Sequence, residues 1–301
     1  MTISALPNSD VWSPVMIGCL LSLILFGVIL AQAFTYCQNC EGDPLGMKLF
    51  VAILFALDAA NSAASMAWIY KLFIDGWGNA ASYETAGWPV GVTALMLTCI
   101  ACLAHLFFAR RLHFIPVQRW ITFLIVCFSI VTFIGGIGTG IAMLWIKDYG
   151  QFWRLKALVG VWAISAVFAD IAIAVTTSYY LRRFKGNIKA TDRLLDRIIQ
   201  HTLQNSALTL TANCAALVMF CIARKPYYFA LTFLTPKLYL HSVLSSLNAR
   251  KSLRYLANAT VDLGEQSLTQ SRVRGSDQSR RPEVLDLRQM NYMENSKSDW
   301  T

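Results

Sequence analysis

Seven long apolar runs constrain this chain more than any other feature. They cover approximately residues 14–36, 49–70, 89–109, 120–145, 157–181, 198–222 and 226–247. A helix needs about 20 mainly apolar residues to cross about 30 Å of hydrocarbon. Each run meets that length, is too long for a strand, and is bounded by Gly, Pro or charge. Lipid admits only helices and closed barrels, and near-continuous apolar stretches exclude the alternation of a barrel. The expected fold is therefore an all-α integral membrane protein, a seven-transmembrane-helix bundle over residues 14–254.

Composition agrees. The chain is 56% hydrophobic and 14% charged, with a mean hydropathy of +0.48; soluble domains carry about a quarter charged residues. The net charge of +9 does not indicate nucleic acid, because the basic residues fall in short clusters between apolar runs. No Lys or Arg precedes the first run, which is also too long for a signal-peptide core, so it is expected to remain as a helix.

Charge sets the expected orientation. One side receives Lys71, Lys147, Arg154, Lys156, Arg224 and Lys225, six in all. The other receives nineteen, including Lys48, Arg110, Arg111, Arg119 and nine in the C-terminal segment. Positive short loops stay cytoplasmic. The N-terminus, residues 1–13, is thus expected outside, and a disordered tail, residues 255–301, inside, where apolar periodicity gives way to Ser, Arg, Asp, Gln and Asn.

The densest basic cluster, Arg182, Arg183, Lys185, Lys189, Arg193 and Arg197, falls in the third cytoplasmic loop of this topology. It suits anionic lipid head groups, each charge contributing about 1 kcal/mol near the surface. The alternative is a docking site for a cytosolic signalling partner, with "ATDRLLDRIIQ" beginning the sixth helix below the membrane and Leu194, Leu195, Ile198 and Ile199 as its apolar face.

Two motifs carry little chemistry. "CQNC", Cys37 to Cys40, lacks the second ligand pair of a zinc site and faces a reducing cytosol. "GGIGTG", residues 135–140, lies inside an apolar run with no preceding strand; Gly136 and Gly140 share one helix face and suit close helix packing.

Charges within the hydrocarbon say more. Asp58 lies ten residues past Lys48, Asp170 eleven before Leu181, and Lys237 eleven before Asn248. All three sit about 15–17 Å from the cytoplasmic face. A charge at that depth costs at least about 2.5–3.5 kcal/mol, so each should face the bundle and find a partner. Asp58, Asp170, Lys237 and the nearby His241 are the candidate ligand or proton network; the alternative is a polar core that fixes helix register. Lys237 also has the position of a Schiff-base lysine, but "FLTPKLYLHSVL" lacks an Asp four residues before it. No nucleophile elbow, HExxH or loop cluster of His and Asp is present, so no enzyme, metal site or cofactor is expected.

Four segments carry a resemblance: "DPLGMKLFVAILFALDAANSA", "LFFARRLHFI", "ADIAIAVTTSYYLRRFKGNIKATDRLLDRIIQHTLQN" and "PKLYLHSVLSSLNARKSLR". In this order they resemble a family of fungal heptahelical membrane proteins catalogued as domain of unknown function 6534. The likeness runs from about Val15 to Arg254. It implies an integral membrane protein with no assigned activity, substrate or cofactor, and it implies that Asp58, Asp170 and Lys237 stand at matching places.

The expected function is receptor-like or sensory, in a plasma membrane or endomembrane, although "FFARR" is not the acidic-Arg-aromatic trio of common receptors and the last run lacks Asn-Pro-x-x-Tyr. The alternative is a transporter or proton-coupled carrier using the midplane Asp and Lys residues, against which stands the lack of an internal repeat.

Overall fold

The computed structural model describes residues 9–77, 79–113, 119–183, 189–222 and 227–249. All belong to the first of two units into which the chain divides, Met1–Arg250. The second unit, which holds the expected tail, lies outside the described residues.

The described residues form helices throughout. In chain order they are α1 (Ser9–Asn39), α2 (Leu45–Tyr70), α3 (Trp88–His113), α4 (Arg119–Ile146), α5 (Lys156–Arg183) and α6 (Lys189–Ile222). A last helix, α7, covers residues 228–249. A π-helical turn, Lys71–Asp75, extends α2, and short 3₁₀ turns occupy Ala80–Tyr83 and Tyr149–Leu155. Among these residues no strand forms; a single antiparallel bridge joins Thr85 to Asp148.

Several helices outrun the apolar stretches that announce them. Pro14 marks the expected start of the first run, yet α1 begins at Ser9 with Pro14 inside it. The carbonyl that Pro14 leaves without a donor is that of Asp10, in the first turn, so the helix tolerates the proline there. α6 begins at Lys189, before the apolar run that starts at about residue 198, so the charged stretch "KATDRLLDR" forms the first part of the helix.

Six helices, α1 to α6, hold stretches long and apolar enough to cross a membrane. By length and composition these are the helices of a multi-pass membrane protein. Their outward faces carry large exposed apolar side chains, among them Ile24, Phe34, Phe123, Ile134 and Val175. Such a surface suits lipid and not water. α7 is different. It carries Lys237, His241 and three serines, and none of residues 227–249 is exposed. A helix surrounded by protein has no need of a lipid-facing apolar side, so α7 can hold these polar residues. Hydropathy by itself does not select it as a span.

Close helix contacts use glycine where side chains would collide. A Cβ on Gly18 of α1 would stand 2.5 Å from the Ala230 carbonyl oxygen of α7. Gly136 and Gly140 of α4 face Thr98 and Leu95 of α3, the packing their spacing suggests.

The core has two apolar clusters. One gathers Trp12, Trp68, Tyr83, Phe152, Phe229 and Phe233, at the end where α1 and α7 begin and α2 finishes. There the two connecting segments are tied: Ala86 N–H donates to the Lys147 carbonyl at 2.8 Å and Tyr149 N–H to the Glu84 carbonyl at 3.1 Å. The Trp68 indole N–H donates to the Tyr149 hydroxyl at 2.9 Å. The second cluster, including Tyr36, Leu54, Phe107, Leu112 and Leu247, fills the opposite half. There Asn248 Nδ2 donates to the Gln32 carbonyl at 3.0 Å.

Candidate functional site

Between the two clusters lie buried polar side chains in two separate groups. In the first, Lys237 Nζ of α7 donates to Asp58 Oδ1 of α2 at 2.6 Å and approaches the Asp58 carbonyl at 3.3 Å. The ammonium also stands 5.6 Å from the centroid of the Phe26 ring on α1, within cation–π range. Neither Lys237 nor Asp58 has any solvent exposure. Asp58 Oδ2 is buried with no hydrogen-bond partner among the described residues.

In the second group, Asp170 of α5 is held by three other helices. Its Oδ1 lies 3.2 Å from His105 Nε2 of α3. Its Oδ2 accepts from Asn213 Nδ2 of α6 at 2.9 Å and from the Tyr239 hydroxyl of α7 at 3.0 Å. Asn213 Nδ2 also donates to the Tyr239 hydroxyl at 2.9 Å. A carboxylate in contact with Nε2 favours the tautomer with its proton there. His105 Nδ1 is buried without a partner among the described residues.

The single Asp58–Asp170–Lys237 network expected from depth is thus two sites. Helix geometry explains the division. Residues two apart on a helix point about 200° from one another. Lys237 therefore faces α1 and α2, while Tyr239 faces α3, α5 and α6. His241 shares the Lys237 side of α7 but is only half-buried and makes no hydrogen bond among the described residues. His105, Asn213 and Tyr239 take part without having been singled out from sequence. Asn and Tyr carry no charge penalty in an apolar run, so nothing marks them there. His105 is a titratable residue on the α3 face, and that signal was available.

On the Tyr239 side a partly open cavity extends toward the aromatic end of the bundle. Trp68, Tyr228, Phe229 and Phe220 line it near that end, and Asn213 and Tyr239 lie deep in it. Among the described residues its lining contains no ionisable acid or base apart from tyrosine, since Asp170 stands behind Asn213 and Tyr239. Lys237 is not among the described residues that line it.

Of the basic cluster, Arg182 and Arg183 end α5, and Lys189, Arg193 and Arg197 lie in the first part of α6. Lys185 and the side chains of all six lie outside the described residues. Every cysteine of the chain is a free thiol. Cys40 Sγ approaches the Cys37 carbonyl at 3.2 Å. Among the described residues no three His, Cys, Asp or Glu side chains gather as a metal site would require.

No curated protein and no solved structure matches this chain. Residues 166–252, the segment that supplies Asp170, Asn213, Lys237 and Tyr239, match the model of the family of unknown function DUF6534.

Proposed function

We propose that this is a seven-span membrane protein of receptor-like or sensory type, with its N-terminus extracytosolic, which binds a small neutral molecule in the cavity beside α7. The cavity is the observation that carries the proposal. It is a partly enclosed, mostly apolar space with a few polar groups at its deep end, the character of a small-molecule site. Those groups are hydrogen-bonded to Asp170, which in turn touches α3, so a molecule displacing Tyr239 or Asn213 would act on four helices at once. The distribution of Lys and Arg supports the orientation, in which the aromatic end of the cavity, with Trp68, Tyr228 and Phe229, lies toward the extracytosolic side. In the same topology the basic segment from Arg182 to Arg197 faces the cytosol, available to anionic lipid or to a signalling partner.

The test is binding by the purified protein in lipid nanodiscs. A panel of neutral apolar molecules should contain members that raise its unfolding temperature, with the effect removed when Ala216→Phe fills the cavity. A panel that leaves both proteins unmoved would end the proposal.

A carrier reading rests on another observation, the fully buried Asp58–Lys237 pair with its unpartnered Oδ2. Proton-coupled flux in proteoliposomes, lost in Asp58→Asn, would favour it; no flux under a pH gradient favours the receptor.

A further inference from the structure

Resting on that cavity reading, we propose that the deep end of the cavity selects an apolar ligand carrying a hydroxyl group, and that Asn213 Oδ1 accepts the ligand's proton. The basis is the distribution of spent and unspent hydrogen-bonding atoms around the cavity.

Almost every donor at the deep end is already used. Four threonines line the cavity, and each donates its hydroxyl proton within the protein. Thr93 donates to the Val90 carbonyl at 2.9 Å, Thr232 to the Tyr228 carbonyl at 3.0 Å, and Thr235 to the Leu231 carbonyl at 3.1 Å. Thr132 has the Phe128 carbonyl at 2.8 Å and Ser165 Oγ at 2.9 Å. What these hydroxyls keep for a ligand is lone pairs. The Tyr239 proton goes to Asp170, and the Asn213 amide nitrogen donates toward both Asp170 and Tyr239. This also fixes the amide: a flipped Asn213 would turn its oxygen toward the Asp170 carboxylate.

Asn213 Oδ1 is therefore the atom left over. It accepts no hydrogen bond among the described residues, and it is not shut away from open space, since Asn213 lines the cavity and Oδ1 is not one of the fully buried unpartnered atoms. Pro236 adds to the excess of acceptors. Having no N–H, it leaves the Thr232 carbonyl without its intrahelical donor. On the donor side, one N–H of Asn61 remains, because only one is needed to reach the Thr93 carbonyl at 3.2 Å. The Trp162 indole and Tyr228 hydroxyl lie nearer the aromatic end. A hydroxyl, which gives one proton and accepts another, fits this set better than a carbonyl or ether, which only accepts. A carboxylate would meet the Asp170 charge and a ring of lone pairs.

The experiment compares dodecanol with its methyl ether, two probes of similar apolar length that differ in the donor. Binding to the full-length protein in nanodiscs is followed by ligand-dependent shift of the unfolding midpoint. Dodecanol should reach a given shift at about one-tenth the concentration the ether needs, the ratio for one hydrogen bond. Asn213→Leu should bring that ratio to about one while leaving ether binding in place. Equal potency of alcohol and ether on the wild-type protein overturns the hydroxyl inference and leaves the cavity reading standing. If neither probe shifts the wild-type midpoint, both fall. The wild-type comparison needs no variant, so a misfolded Asn213→Leu chain does not protect the inference.

Discussion

Lys237 Nζ lies 2.6 Å from Asp58 Oδ1, with both side chains wholly sealed from solvent. This pair joins α7 to α2 across the middle of the bundle. Two opposite charges in so dry a place are tolerated because they neutralise each other, and removing either one strands its partner.

Single substitutions at this pair should therefore be severe and the double substitution mild. Lys237→Met is expected to lose about 3–5 kcal/mol. Combining it with Asp58→Asn should recover most of that loss, because no uncompensated charge remains. Unfolding midpoints of the three variants in bicelles check this. Additive losses in the double variant would show that the two side chains do not depend on each other.

Asp170 should matter more than any one of its donors. Tyr239→Phe deletes one hydrogen bond of a set and is expected to cost about 1 kcal/mol. Asp170→Ala leaves the Asn213 amide and the Tyr239 hydroxyl without their acceptor, and about 2–3 kcal/mol is expected. The same unfolding assay ranks them. An Asp170→Ala protein as stable as wild type would mean the carboxylate does not hold α3, α5, α6 and α7 together.

Two glycines of α1 should respond in opposite ways to one added methyl. At Gly18 a Cβ would come within 2.6 Å of Ala230 Cα, so Gly18→Ala must push α1 from α7, at about 1–3 kcal/mol. At Gly27 a Cβ meets nothing within 4 Å, and Gly27→Ala should stabilise slightly, by up to about 1 kcal/mol from helix propensity. Equal effects at the two sites would contradict the α1–α7 contact.

How much of this was legible beforehand depends on what each residue costs in lipid. The apolar runs announce the helices because length and hydropathy are local properties. Asp58, Asp170 and Lys237 stand out because a charge at that depth needs a reason. Their grouping does not follow from depth, since it depends on the rotation of each helix about its axis. Residues 237 and 239 are close in sequence yet face different neighbours. Asn213 and Tyr239 are silent in sequence for the opposite reason: a neutral polar side chain in an apolar run is cheap enough to pass unnoticed. The ends of α1 and α6 run past their apolar stretches because Pro14 sits early enough to be absorbed and because the start of α6 is polar.

The most direct test of the whole account asks which side of the membrane reaches the cavity. Thr232→Cys places a thiol in the cavity lining, and the native Cys37 is exposed at the far end of α1. In chains keeping only one of these two cysteines, a membrane-impermeant maleimide is added to intact cells and to inverted vesicles. The account predicts that Cys at position 232 reacts in intact cells and Cys37 only in inverted vesicles. The reverse pattern, with Cys37 labelled from outside and position 232 only from the cytosolic side, would contradict it.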